Sequence, residues 1–293
     1  MASGETLSGT LADSLPTVIA DARIIREYDG TWQRTCDVRT QEEGTGLNWI
    51  ENSIAQIAAM DITETTNNEN AQQLADTLLQ VEPTMVQILL KITDRTYRKI
   101  AKIVSSKFGP LAGNAMSRKK DEDYLSLFPS FSDATDPGAG QIFTAGNISA
   151  SKAQITSNVT EPTDSPVFAI LHGFQIKDVQ DEIIDGTSAT LPVPSGISQD
   201  WFVNGLSGVI FGVTIFEDGN ITISGTDATG AVHAKEGVVA VNGMTIKTEE
   251  RRDPAFGGGA DEMFMTDEYA FVERGSANPW AFQQTSDATA PTS

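Results

Sequence analysis

The stretch from Asp94 to Phe128, DRTYRKIAKIVSSKFGPLAGNAMSRKKDEDYLSLF, constrains this chain more than any other. Thr93 or Asp94 is a suitable N-cap, a side chain that accepts a hydrogen bond from a free first-turn N–H. Apolar residues then recur at Tyr97, Ile100, Ala101, Val104, Phe108, Leu111 and Ala115, the three-and-four spacing of one helix face. Arg95, Arg98, Lys99 and Lys102 fall on nearly the opposite side. Between Arg95 and Lys120 lie eight of the chain's 20 basic residues and none of its 40 acidic ones. The pattern predicts one long basic helix in an otherwise acidic protein. Gly109-Pro110 interrupts it, because proline lacks a donor and clashes one turn back; the helix kinks there or restarts with Pro110 in its first turn.

A solvated helix face accounts for most charge runs and is one reading of this one. The segregation of sign also fits a second reading, since ordinary soluble surfaces mix charges. A positive strip on an acidic body is a contact for a polyanion or for an acidic patch on another copy. A net charge of −20 argues against wrapping nucleic acid with the whole surface.

At 293 residues the chain is long enough for one large or two modest domains. No window approaches the ~18 consecutive apolar residues of a membrane span. The N-terminal sequence has neither the basic start nor the apolar centre of a secretory signal. Cys36 is alone, so no internal disulfide forms, and a reducing compartment fits.

Residues 1–28 are small, polar and broken by Pro16, an arm that needs another surface to become ordered. Trp32, Cys36 and Val38 fall at strand spacing over 31–39. A Glu42-Glu43-Gly44 turn follows, and Leu47 and Trp49 begin a second run. The reading is a long hairpin with too few apolar groups to bury its own faces, so it needs its own body or a neighbouring subunit. Leu78–Ile92 reads as strand with a bend at Pro83. Ser130–Gly140 is a linker. Beyond it, Ile148–Ser157 reads as helix, Val167–Leu171 as strand, Phe174–Ile184 as helix and Val209–Phe216 as one buried strand. Ala231–Val241 is a strand pair or strand-turn. Two strands then flank the Asp253–Gly259 turn, and TSDATAPTS is a loose tail. The elements add up to an α+β protein.

No catalytic constellation emerges. The two histidines, His172 and His233, and one cysteine make no zinc site, and HExxH and G-x-S-x-G are absent. His172, after a strand, reads as a capping or packing residue. Gly257-Gly258-Gly259 lacks the Gly-Lys-Ser/Thr of a phosphate loop. Acidic pairs such as Asp261-Glu262 are inevitable among 40 carboxylates. The chain reads as a non-enzyme with no cofactor and no metal.

The order of these parts resembles the major capsid protein of tailed bacteriophages, the fold named after phage Hong Kong ninety-seven. The segments that carry the likeness are ITDRTYRKI…GPLAGNAMSRKKDEDYLSLF, PVFAILHGFQIKDVQDEI, LSGVIFGVTIF, GAVHAKEGVVAV and TIKTEERRDPAFGGGADEMFMTDEYAFVERG. They span nearly the whole chain, and their order carries the weight. The resemblance implies an N-terminal arm at 1–28 and an extended β-hairpin, the E-loop, at 29–66. It further implies a peripheral domain at 67–140 and 243–283 with a spine helix over about 93–128, an axial domain at 141–242 and a C-terminal tail at 284–293.

By the same resemblance, Arg95, Arg98, Lys99 and Lys102 face double-stranded DNA in the lumen through sequence-independent phosphate contacts. Trp32, Arg34, Arg39, Glu42, Glu43 and Trp49 become inter-subunit contacts of the E-loop. Self-assembly into hexamers and pentamers of an icosahedral head follows, in the virion after assembly in the host bacterial cytoplasm, with a portal protein and a cement or decoration protein as partners and no membrane. Two departures matter. Residues 29–66 contain Arg34 and Arg39 but no lysine, whereas some relatives crosslink neighbours through a lysine there. The sequence also opens on the arm, which predicts a separate scaffold protein. A decoration or tail-tube subunit, and an enzyme of unknown class, are the competing readings.

Overall fold

The computed structural model describes residues 30–42, 44, 46–65, 71–99, 108–159, 161–185, 208–274 and 280–291. In chain order these form α1 (Trp32–Thr35), β1 (Asp37–Thr40), β2 (Trp49–Ile54), β3 (Asp76–Val81), β4 (Thr84–Thr93), α2 (Asp94–Tyr97) and α3 (Phe108–Leu125). After a 3-10 turn at Phe128–Ser130 come β5 (Asp133–Ala134), α4 (Ala145–Thr156), β6 (Val167–Leu171) and α5 (Gly173–Asp185). The remainder is β7 (Val209–Ile210), β8 (Val213–Glu217), β9 (Ile223–Ser224), β10 (Asp227–Ala234), β11 (Val238–Asp253), β12 (Ala260–Glu273) and β13 (Ala281–Asp287).

Two sheets organise the body. The first runs β1-β11-β12-β4, antiparallel except where β1 lies parallel to β11, Asp37 opposite Val239. The second runs β5-β13-β10-β6-β8-β7, with β9 also on β10. The chain passes from second to first at the 3-10 turn Lys235–Gly237. A Cβ on Gly237 would sit 2.8 Å from the Trp280 carbonyl oxygen, so only glycine lets the strands pass this closely.

The second sheet is covered on both faces, which explains why β6 reads as a nearly continuous apolar run. On one side α4 and α5 bury Ile148, Ile155, Ile176 and Val179 against Val167, Ala169, Val213, Val232 and Phe282. On the other, Tyr124 and Leu125 from the end of α3 and Phe128 from the 3-10 turn after it pack with Trp32, Cys36, Ile170, Ala231 and Ala240. The second cluster joins the two sheets.

Several expectations need correction. Residues 32–35 form a helical turn, not a strand, because Trp32 and Thr35 both turn into the core and Trp32 meets Phe271 edge-on at 5.7 Å. The hairpin is not built from 31–39 and 47 onward. It pairs β2 with β3, Trp49 opposite Val81 and Ile54 opposite Asp76, so the boundary at residue 66 falls inside its connection. The strand expected over 209–216 is two strands, β7 and β8, folded at Phe211 (φ 51) and Gly212 (φ 74). Two successive positive φ values are the geometry of a tight hairpin turn. The first four residues of the tail expected from residue 284 belong to β13, where Gln284 and Ser286 are buried in the second sheet, and Ala288 beyond it is buried too. The boundary at 243 lies inside β11.

The basic helix is described as α2 and α3, and residues 100–107 lie outside the described residues. Thr93 is its cap, accepting from Thr96 N–H at 3.3 Å. Pro110 is the third residue of α3. The buried side of α3 is Ala112, Met116, Lys120 and Tyr124, one residue round from the expected Leu111–Ala115 face; Leu111 is exposed. Burial here follows a polar attachment: Lys120 reaches Asp267 of β12 at 2.6 Å, which turns the stripe toward the sheet.

Candidate functional site

The β2–β3 ribbon has two unlike faces. Trp49, Glu51, Leu79 and Val81 are half-buried at its root. On the other face Ile50, Ile54 and Leu78 are 57%, 69% and 55% exposed. Ala55 N–H donates to Ala75 O beyond the ladder, and the Gln72 side chain bonds both the N–H and the carbonyl of Ala58, so the ribbon extends past its strands. Ile57, Met60, Ile62 and Leu74 there are exposed as well. A two-stranded ribbon with this much uncovered apolar surface is marginal in water.

Its charge is one-sided. From Thr40 to Leu90 the sequence has eight acidic residues and no basic one. That signal is legible in the sequence alone. At the ribbon's root, Arg274 pairs with Glu51 at 2.8 Å and with Asp37 at 3.1 Å.

The six residues expected to form the inter-subunit contact do not share one surface. Trp32 is 7% exposed, inside its own chain, and so is removed from that set. Arg34 is exposed on α1, and Arg39 pairs with Asp37. Glu42 is exposed between β1 and β2, Trp49 is half-buried at the ribbon root, and Glu43 lies outside the described residues.

The basic run divides. Arg95, Arg98 and Lys99 are exposed at the end of β4, with exposed Tyr97 among them. Lys102 lies outside the described residues. Farther along, Arg118 pairs with Glu122, Lys119 with Asp123 and Lys120 with Asp267. The positive field expected over 95–120 is therefore offset at its far end by the chain's own carboxylates.

Between the sheets lies a buried polar network. Tyr124 O–H donates to His233 Nε2 at 2.6 Å, while His233 Nδ1–H donates to the Ala234 carbonyl at 2.9 Å and Thr35 Oγ1 sits 3.0 Å from the tyrosine oxygen. Burial pushes His233 down to about 4 and the Cys36 thiol up to about 12. A neutral, fully bonded imidazole with no access to solvent is a structural group. His172, as expected, caps: its Nδ1 accepts from Phe174 N–H at 3.2 Å.

Asp121 and Asp218 form a second buried knot. Asp121 accepts from Thr31 N–H and the Asn220 amide, and Asp218 from the Thr31 hydroxyl and Asn220 N–H. Burial, and then the Asp121 charge, push Asp218 up to about 7. Because the folded chain holds this proton more tightly than the unfolded one, the knot weakens as pH rises from about 4 to about 7. Asp218→Asn is expected to raise the melting temperature more at pH 8 than at pH 5. An equal effect at both values would show that the carboxyl does not titrate there.

A cavity of about 550 Å³ beneath the end of α3 contains Glu122 and Asp227 but neither histidine nor the cysteine. No group of three or more potential metal ligands occurs among the described residues, and no described helix is long and apolar enough to cross a membrane. Among the described residues, the arrangement offers exposed surfaces and buried structural networks.

No protein-family model matches the sequence, and no curated protein matches it. Solved structures do. The capsid of cyanophage Pam1 is similar at a TM-score of 0.68 and 11% identity, covering 99% of this chain and 100% of that one. The capsid of cyanophage P-SCSP1u gives 0.69 and 12% over 94% and 93%. The capsid of Ralstonia phage GP4 gives 0.69 and 10% over 94% and 96%. The chain has the fold of these tailed-phage capsid proteins over nearly its full length.

Proposed function

We propose that this chain is the major capsid protein of a tailed phage, a non-enzymatic subunit that joins identical copies as hexamers and pentamers of a closed head around double-stranded DNA. The observation that carries this reading is the ribbon, whose Ile50, Ile54 and Leu78 face is left exposed by the described residues of its own chain. Heterologous contacts that close by curvature build shells from one subunit type. The ribbon, from about Leu47 to Glu82, is the E-loop of this reading and residues 1–28 its arm. The first sheet with α3 is the peripheral body and the second sheet with α4 and α5 the axial one. The ribbon has no lysine, so its clamp is non-covalent.

Arg95, Arg98, Lys99 and Lys102 are the DNA-facing set. The exposure of the first three and the ion pairing of Arg118–Lys120 favour the near end of the run for that role. A portal, a separate scaffold protein and a cement protein are the partners this reading brings. A decoration or tail-tube subunit is disfavoured by the match to capsid chains over nearly their whole length.

Electron microscopy of the concentrated protein tests the reading: closed particles are expected, and open tubes or a persistent monomer would sink it. In DNA-loaded particles, reversing Arg95, Arg98 and Lys99 to glutamate should leave shells intact and lower the DNA retained most at low salt, with a shallower fall as salt rises. Each phosphate left without its cation flattens the salt dependence of binding by about one. Unchanged DNA retention would remove these residues from the lumen.

A further inference from the structure

We propose that Arg274 is the residue that sets the direction in which the ribbon leaves the body. Its guanidinium lies at the meeting of three elements. Nη2 donates to Glu51 Oε2 at 2.8 Å and to Asp37 Oδ2 at 3.1 Å, Nε donates to the same Glu51 oxygen at 3.2 Å, and Nη1 donates to the Glu236 carbonyl at 3.0 Å. Glu51 belongs to β2, Asp37 to β1, and Glu236 to the turn where the chain passes from one sheet to the other. Arg274 itself follows β12 directly, and its N–H donates to Gly237 O at 2.8 Å.

A planar fork with fixed donor directions aligns three acceptors relative to one another, which a single ammonium cannot do. The Arg274 side chain is 14% exposed, so the ion pairs are shielded from solvent more than an ordinary surface pair. The other root of the ribbon, β3, continues through Pro83 into β4, where a Cβ on Gly243 would lie 3.1 Å from the Pro83 ring. One root is thus held by packing and the other by Arg274. Without the Glu51 ion pair, the β2 root loses its hydrogen bonds to Arg274 and the ribbon can swing about Pro83.

The consequence for assembly rests on the shell-forming reading; the positioning role does not. A ribbon of fixed direction allows one angle between neighbouring copies, and a swinging ribbon allows several. Glu51→Ala cuts only the ribbon's bond and spares those of Arg274 to Asp37 and Glu236. Glu51→Gln keeps an acceptor without the charge and should lie between it and the native chain. Spin labels at Ile57→Cys and Lys235→Cys, both exposed positions, report the ribbon-to-body distance in the unassembled full chain. Buried Cys36 stays unlabelled.

The native chain is expected to give one narrow distance distribution. Glu51→Ala and Arg274→Lys should each give a broader one with a second maximum, at an unchanged melting temperature for Glu51→Ala. A distribution that Glu51→Ala leaves unchanged overturns the proposal, whatever Arg274→Lys does to folding. In the assembly arm, Glu51→Ala should give shells of mixed diameter where the native chain gives one. Native protein that forms no shells defeats the assembly reading and leaves the distance result to decide the role of Arg274.

Discussion

Replacing residues 56–74 with a two-residue Asn-Gly turn should yield a folded subunit that no longer closes into shells. Ala55 and Ala75 form the hydrogen-bonded pair just beyond the ladder, so a tight primed turn can join them without disturbing it. The excised segment contains exposed Ile57, Met60, Ile62 and Leu74. At about 1.5–3 kcal/mol for each large apolar side chain buried, covering these four on a neighbour in the proposed shell would supply at least about 6 kcal/mol per interface. Every 1.4 kcal/mol is tenfold in affinity, so each interface weakens roughly 10⁴-fold, and the effect recurs around the shell. The melting temperature should barely change, because these side chains are uncovered in the isolated subunit. Shells at native yield from the shortened chain would mean that the ribbon is not the clamp.

The second large effect is internal. Asp267→Ala should destabilise the subunit by about 3–5 kcal/mol, the cost of leaving a buried charge uncompensated. Asp267 is 1% exposed, and Lys120 Nζ lies 2.6 Å from its Oδ2. The ammonium also sits 4.9 Å from the centre of the Tyr269 ring and 5.4 Å from that of Trp32. At about 2–4 °C per kcal/mol for a chain of this size, the melting point should fall by roughly 6–20 °C. Adding Lys120→Met should recover most of the stability, since a well-packed apolar pair replaces a buried ion pair at little net cost. A destabilisation below about 1 kcal/mol would show that water reaches Lys120 and that the attachment of α3 to the first sheet does not depend on this pair.

The same pair marks the limit of what local pattern reveals. In the sequence Lys120 is one of eight like charges and belongs with Arg98 and Lys99. In the folded chain it is an anchor, because its counter-charge arrives from residue 267. Trp32 is the same case: its spacing from Cys36 and Val38 fits a strand, yet its ring is needed against Phe271, and the backbone coils to deliver it. Of the residues singled out for function, Arg95, Arg98, Lys99, Arg34, Arg39, Glu42 and Trp49 retain some exposure in the isolated chain. Arg274 carries no such mark, since nothing near it in sequence points to Glu51 or Asp37.

What the sequence determined alone was the identity of elements that complete themselves locally. The apolar run at Val167–Leu171, the helical spacing over Phe174–Ile184 and the glycine-rich turn joining β11 to β12 all took the forms their patterns predict. The order of those elements also pointed to the capsid fold. Only the tertiary structure decided the partners: β1 beside β11, β2 with β3 across a 21-residue connection, and β13 in the second sheet. The reason is physical. Periodicity records how a segment sits on its own axis, whereas pairing between residues as far apart as Asp37 and Arg274 is settled by the packed body that brings them together.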